Sequence, residues 1–336
     1  MTCSLDRIDL VGLDRSWPRV THLDWPHVFS LPSWLAMWWR HFGARHELYL
    51  HLAKEDGRVL GVAPLMLSGH EAAFIGSPDL CDYLDFVVAP GEEDKFSLAL
   101  LDGLSHDGVE RMSLCCLRRD SFAMRHLLPL ARSRGCFCSC EQEDVSLELE
   151  LPASWDDYLG LLDSKQRHEV RRKLRRLFEA GEAHYEVVSD AEGVRAGMDT
   201  FFRLFTAGRD VKAAFLSAER EQFFRSIAEA MSRLGILRLG RLQLNAVSVA
   251  ALLYFEYGDR VFLYNSGFDP CYRSLSVGLL AKVLCIQDSI ARHRATFDFL
   301  KGIEEYKYRL GGREVPVYRC QFDISAATRP ALGGVL

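Results

Sequence analysis

The chain has no run of apolar residues approaching the roughly 18–20 that a membrane-crossing helix needs. Its first thirty residues carry Asp6, Asp9 and Asp14 and no continuous apolar core, which argues against a secretory leader. A cytoplasmic location is the expectation, and the ten cysteines are then expected as thiols rather than disulfides. Positive charge is in deficit, 41 Lys and Arg against 46 Asp and Glu, so the whole molecule is no polyanion binder and any attraction for anions is local. A Gly-x-Ser-x-Gly elbow and a Walker loop are both missing, which disfavours hydrolase and P-loop chemistry. Metal-ligand spacing is missing too. His22 and His27, and His46 and His51, look incidental, and Cys136, Cys138 and Cys140 in "CFCSC" are spaced by one residue, unlike the paired spacing of zinc sites. That spacing puts the three thiols on one face of a strand as small buried side chains, whereas adjacent Cys115 and Cys116 should point to opposite faces and build no joint site. No metal is expected.

What is there is a 336-residue chain that is 49% hydrophobic, enough for two domains of middling size. Two halves mix strands and helices, with a boundary near residue 150, and no low-complexity linker or sequence repeat separates them. In the first half "SLPSWLAMWWRHFG" reads as a helix with Ser33 as cap and Gly43 as stop. "ELYLHLAKEDGRVLGVAPLML" reads as two strands joined at Asp56-Gly57. "VSLELEL" alternates, with Val145, Leu147, Leu149 and Leu151 on one face. The second half opens with a capping box, Ser154 and Asp157, before a short helix. Two amphipathic helices follow the strand "HYEVVS", then three consecutive strands, another helix and the strand "TFDFL".

Between residues 164 and 181, "SKQRHEVRRKLRRLFEAG" packs seven Lys and Arg into positions 165–176. Helical spacing gathers Val170, Leu174, Leu177 and Phe178 into one narrow apolar stripe and leaves cations, Arg171 and Arg175 among them, over most of the rest. Glu169 can pair with Lys173, yet Arg171–Arg175 and Arg172–Arg176 each set like charges one turn apart at a cost of a few tenths of a kcal/mol. The run is either a solvated helix face or the lining of an anion site. Duplex DNA asks for a broader basic surface, and a membrane-lying helix asks for a wider apolar face. A phosphorylated ligand, or RNA touched through its phosphates, fits best.

A second constellation is "NSGFDPCYRSLSVGLLAKVL", residues 265–284, in which Arg273-x-x-Ser276-x-Gly278 opens a helix after a strand. A helix start offers unpaired N–H groups and the positive end of the dipole to a pyrophosphate. These residues resemble the Gln/Arg-x-x-Gly-x-Gly/Ala turn of the GNAT acyltransferases, matching at Arg273 and Gly278 and departing at Ser276, where the first Gly is usual. Together with the Arg-rich segment, "AVSVAALLYFEYGDRVFLYNSGFDPCYRSLSVGLL", "FDFLKGIEEYKYRLG" and the first-half blocks "LPSWLAMWWRHFG", "GVAPLML" and "DYLDFVV", the chain resembles the CelD-type, FemAB-like branch of that superfamily over residues 30–322.

The resemblance implies an α/β protein of two GNAT-like domains in tandem, 1–150 and 151–336, with mixed, mostly antiparallel sheets flanked by helices. It implies acyl-CoA, acetyl-CoA or longer, as co-substrate, held by Arg273, Ser274, Ser276, Val277 and Gly278, with Tyr264 on the preceding strand and Arg171 and Arg175 on the basic helix. Transfer in such enzymes is direct, an amine or hydroxyl attacking a thioester at a splay between the fourth and fifth strands, here "VFLYNSGFD" and "TFDFLKG". Asp298 is an acid in an otherwise apolar strand, and is either a base or half of a structural ion pair. Glu304, Tyr306 and Lys307, with Gly302, match the branch's Gly-x-Glu-x-Tyr-Lys pattern, Lys307 as an anion holder and Glu304 or Tyr306 as the proton carrier. In the first half Asp82 and Asp85 either bind the acceptor or serve as caps. The acceptor is a sugar, an envelope precursor or a small metabolite. Two rivals stand beside this reading: a FemAB-like transferase using aminoacyl-tRNA, and a catalytically silent scaffold in polysaccharide biosynthesis.

Overall fold

The computed structural model describes residues 3–16, 20–207 and 210–325. Two compact units emerge, one running to Asp144 and resuming at Pro316, the other Val145–Val315. No helix among the described residues is long and apolar enough to cross a membrane.

In the first unit β1 (Ser4–Arg7), β2 (Glu47–Glu55), β3 (Arg58–Ser68) and β4 (Glu71–Phe74) form an antiparallel run, with the short β5 (Val87–Val88) against β3. The β2–β3 turn is at Asp56-Gly57 as the sequence predicts, both residues at positive φ (49° and 79°), the backbone a two-residue hairpin demands. β6 (Arg111–Arg118) joins β4 in parallel. The helices are α1 (Leu10–Arg15), α2 (Pro32–Phe42), α3 (Glu93–His106) and α4 (Leu128–Ser133). Gly43 ends α2 as expected, but Ser33 does not cap it: Pro32 takes the first turn and Leu31 is the N-cap, without a side-chain bond, because proline's missing N–H costs nothing there.

The second unit starts within β7 (Phe137–Glu150), then passes through α5 (Trp155–Leu161), α6 (Ser164–Glu179) and β8 (Ala183–Val188). Helices α7 (Ala191–Thr206), α8 (Asp210–Phe215) and α9 (Ala218–Arg233) precede the three consecutive strands β9 (Leu237–Leu244), β10 (Val247–Tyr257) and β11 (Arg260–Phe268). A 3-10 turn (Pro270–Leu275) leads to α10 (Val277–Ala291), β12 (Thr296–Lys301) and α11 (Glu305–Arg309). The N-cap half of the expected capping box is present: Ser154 Oγ accepts from Asp157 N at 3.1 Å, while the Asp157 carboxylate takes the Ser154 hydroxyl at 2.6 Å. The unit's strand order is β7-β12-β11-β10-β9-β8, antiparallel except where β11 and β12 run parallel. Core residues of α5, α6 and α10 share one cluster with Leu252, Tyr254 and Leu263 of the sheet, while α7 packs on β10 and β11 and is backed by α9. The last described strand, β13 (Arg313–Asp323), pairs Val317–Asp323 with β6, so the chain returns to the first unit.

The all-thiol expectation is corrected within that first unit. Cys140 and Cys320 are joined as a disulfide across 180 residues of sequence. Residues that far apart in the chain meet only because β13 comes back. Cys136 and Cys138 remain thiols, the first buried and the second half-buried.

Candidate active site

Three irregularities in neighbouring strands build the site. In β11 the register against β10 slips, Leu253 facing Asn265 but Tyr254 facing Leu263, so Tyr264 is the extra residue of a β-bulge. In β12 the register against β7 slips after Asp298, so Phe299 and Leu300 oppose Leu147 alone. The parallel pairing of β11 with β12 stops at Phe262–Asp298. Beyond that point the two strands carry no ladder between them.

The bend in β12 is held by buried charges. Leu300 has φ 60° and Gly302 φ 106°. Asp298, wholly buried, accepts from Leu300 N–H at 2.8 Å. Lys307, 2% exposed, points its ammonium at the carbonyls of Leu300 (3.1 Å), Lys301 (2.6 Å) and Gly302 (3.1 Å) and at Glu304 Oε2 (2.9 Å). Three N–H donors are thus fully engaged within the protein. Gly302, at φ 106°, holds a backbone that favours glycine, with the movable tip of Glu304 beside it. Glu304 itself is more than half exposed. Burial alone would raise its carboxyl, but the Lys307 hydrogen bond and charge, with Lys282 behind them, hold it below the ordinary range.

Lys282 is the residue that sequence reading passed over. It sits one turn into α10, 7% exposed, donating to Gly278 O at 3.0 Å, with its ammonium 4.8 Å above the Tyr306 ring. The signal was available: "VGLLAKVLCI" is apolar except for this one cation. Lys282 links the Glu304–Tyr306–Lys307 cluster to the start of α10.

At that start Ser276 is in the left-handed region, φ 56°, and its carbonyl takes both Leu279 N and Leu280 N at 3.0 Å. The N–H groups of Val277 and Gly278 belong to the first turn of α10, where the helix itself offers them no carbonyl partner. A Cβ on Gly278 would lie 2.6 Å from the Phe268 ring. Arg273 and Ser274 are exposed on the preceding turn, and Val277 is buried. Helix α6 packs against both this turn and α10, which sets the basic helix beside the Arg273–Gly278 segment.

Within α6 the apolar stripe is narrower than its spacing predicts. Val170 and Leu177 are buried and Leu174 partly so, but Phe178, one residue from the end of α6, is 55% exposed. Glu169 pairs with Arg172 at 2.9 Å as well as with Lys173 at 3.7 Å, and Arg175 with Glu179 at 3.7 Å. Lys165, Arg171 and Arg176 make no ion pair among the described residues, and all three are exposed.

Two sets of expected residues lie elsewhere. The Tyr264 ring packs against Phe224 of α9 (5.6 Å) and Phe255 (5.3 Å), on the α7–α9 face of the sheet. In the first unit Asp85 is buried and accepts from the N–H groups of Phe86 (2.9 Å), Phe122 (2.6 Å) and Ala123 (3.1 Å), the cap alternative of its two readings. Asp82 is half-buried three residues earlier.

Residues 164–308 match the acetyltransferase (GNAT) domain family. No curated protein matches the chain by sequence. Among solved structures, FemX superposes with TM-score 0.62 at 13% identity, covering 94% of this chain and 96% of the other. A conserved protein of unknown function from Bacteroides thetaiotaomicron gives 0.61 at 13% identity, covering 95% and 98%. The C-terminal domain of a putative lysylphosphatidylglycerol synthetase from Agrobacterium fabrum gives 0.59 at 11% identity, covering 93% and 92%. These likenesses concern the fold, the mixed α/β architecture with helices flanking its sheets that the sequence predicts.

Proposed function

We propose that this chain, an acyltransferase whose residues 164–308 form a GNAT-type acetyltransferase domain, moves an acyl group from acyl-CoA to an amine or hydroxyl of a sugar, envelope precursor or small metabolite. The observation that carries the reading is the parting of β11 from β12 after Phe262 and Asp298, with an uncapped helix start at the end of β11 and a basic helix packed against it. The Val277 and Gly278 N–H groups, the α10 dipole, Arg273 and the exposed face of α6 with Arg171 and Arg175 suit a pyrophosphate. The stretch beyond Phe262, where β11 no longer pairs with β12, would take the thioester, and a β11 N–H there would meet the developing oxyanion.

Glu304 is the proposed base. It is exposed, and Lys307 keeps it ionised. It takes the proton as the acceptor nitrogen or oxygen bonds to the acyl carbon; the carbon–sulfur bond breaks, and the CoA thiolate is reprotonated, with the Tyr306 hydroxyl as the nearby donor. Asp298 and Lys307 are assigned to holding the β12 bend. The aminoacyl-tRNA alternative draws on Lys165, Arg171 and Arg176, whose charges no acid in the described residues offsets; the scaffold alternative has no such observation.

Isothermal titration with acetyl-CoA and a longer acyl-CoA tests the reading. Saturable binding to the wild type, weakened about tenfold or roughly 1.4 kcal/mol in Arg273→Ala, is the expected result. Gly278→Val is the wrong probe, because its side chain would strike Phe268. No binding by the folded wild type would remove acyl-CoA as donor. RNA copurifying with the wild type but not with Arg171→Glu/Arg175→Glu would then favour aminoacyl-tRNA.

A further inference from the structure

The adjacent thiols Cys115 and Cys116 should part to opposite faces of their strand, and in β6 they do not. Along β6 and β13, Leu117 faces Tyr318 and Leu114 faces Cys320, so two cysteines oppose Arg319 alone. That two-against-one count is a β-bulge, and Cys116 adopts φ 59° to make it. The bulge turns both side chains to the same neighbourhood. Cys115 Sγ, Cys116 Sγ and a carboxylate oxygen of Glu143, on β7, all lie within 4.8 Å of one another. Neither thiol is in a disulfide.

We propose that Cys115, Cys116 and Glu143 form a site for a thiophilic divalent metal ion of the zinc type, distinct from the acyl-transfer site. Two thiolates and one carboxylate are a donor set for a borderline-soft ion and a poor one for magnesium or calcium. In a tetrahedral zinc site metal–sulfur bonds of about 2.3 Å put ligand atoms roughly 3.5–3.8 Å apart, so closure asks for about 1 Å of movement from thiols on single rotatable bonds. Glu143 is already oriented for the task. One of its oxygens, Oε1, accepts the Cys116 N–H at 2.5 Å, and Oε2 is held by Arg319 through Nε at 3.0 Å and Nη2 at 2.9 Å. Arg319 thereby acts as the outer partner that a ligating carboxylate usually has. It also settles the charge: two thiolates and Glu143 bring three negatives, Arg319 offsets one, and a dication offsets the other two. Cys116 Sγ now donates its proton to Cys81 O at 3.3 Å. On binding, each thiol gives its proton to solvent as a metal–sulfur bond forms, with no change of oxidation state. Cys115 and Glu143 are half-buried, which leaves the fourth position to water.

Cobalt titration of the full chain under anaerobic conditions, without added reductant so that Cys140–Cys320 stays closed, is the test. One Co2+ per chain, with a thiolate-to-cobalt charge-transfer band and tetrahedral visible bands, displaced by Zn2+, is expected. Cys115→Ser and Glu143→Gln should each weaken the ion at least tenfold, Gln being chosen because its oxygen can still accept from Cys116 N–H. Cys138→Ser, with its thiol elsewhere on β7, should leave binding unchanged. Circular dichroism reports whether each variant is folded. Absence of a thiolate band in the folded wild type overturns the proposal, as does a band that survives in folded Cys115→Ser or disappears in folded Cys138→Ser.

Discussion

Ser276 stands at φ 56°, a backbone that costs a residue with a Cβ roughly 1 kcal/mol or more and costs glycine little. That is the physical reason glycine is usual at the matching position of the GNAT turn this segment resembles. The helix tolerates serine because its side chain is small, and the carbonyl still receives two N–H groups of the next turn. Ser276→Gly should change the urea midpoint by less than about 1 kcal/mol, the relief of strain being offset by the greater freedom of the unfolded chain. Ser276→Val, branched at Cβ, should cost about 1–2 kcal/mol. If valine is as stable as serine, the left-handed conformation is not what the residue is held in.

The bend in β12 is an element-scale device. Lys307, Asp298 and Gly302 together replace the ladder hydrogen bonds that the strand gives up when it leaves β11. Removing the buried ammonium with Lys307→Met leaves three converging carbonyls and Glu304 without it, and should cost about 3 kcal/mol or more. Glu304→Gln leaves those three carbonyl contacts in place, so stability should hold within about 1 kcal/mol while the transfer rate falls at least a hundredfold. Denaturant midpoints read beside turnover separate the two roles. An unchanged transfer rate in folded Glu304→Gln would deny Glu304 a part in proton transfer. At this scale the strand "TFDFL" and the helix after "NSGFD" were legible, because alternation and turn residues lie within a few positions of one another. Lys307 as a clamp was not: its partners are carbonyls, which no side-chain pattern encodes.

Across the whole molecule the first unit carries two buried groups that oppose each other in acid. His27 is buried beside the charge of Arg118, which together push its imidazole down to about 3. Burial pushes Asp85 up to about 7 in spite of three N–H donors. Between about pH 3 and 6.5 the unfolded chain binds a proton at His27 that the folded one refuses, so this residue makes stability rise with pH. Between about pH 4 and 7 the folded chain keeps a proton on Asp85 that the unfolded one releases, so stability falls with pH by a similar slope, about 1.4 kcal/mol per unit. The wild type should therefore be nearly flat from pH 4 to 6.5 as far as these two groups go. Asp85→Asn should gain stability on going from pH 4 to 6.5 relative to the wild type, and His27→Gln should lose it. Urea midpoints at pH 4, 5 and 6.5 read both slopes, and parallel curves for all three proteins would show that neither group is perturbed.

By itself the sequence determined the elements and their polarity: the Asp56-Gly57 turn, the cap at Ser154, the three strands after α9, and a basic helix with its apolar stripe one side deep. Those features are written by residues within one or two turns of each other, where propensity and periodicity act. Only the tertiary structure decided the rest. The extra residue at Tyr264, the doubled Cys115–Cys116 against Arg319, and the slip after Asp298 exist only relative to a partner strand, so no single segment encodes them. Cys140 meets Cys320 because the last strand returns across 180 residues, a contact that periodicity does not see and that chain compartment alone argued against. The open edges that make a site arise where pairing fails, and pairing is a property of two strands at once.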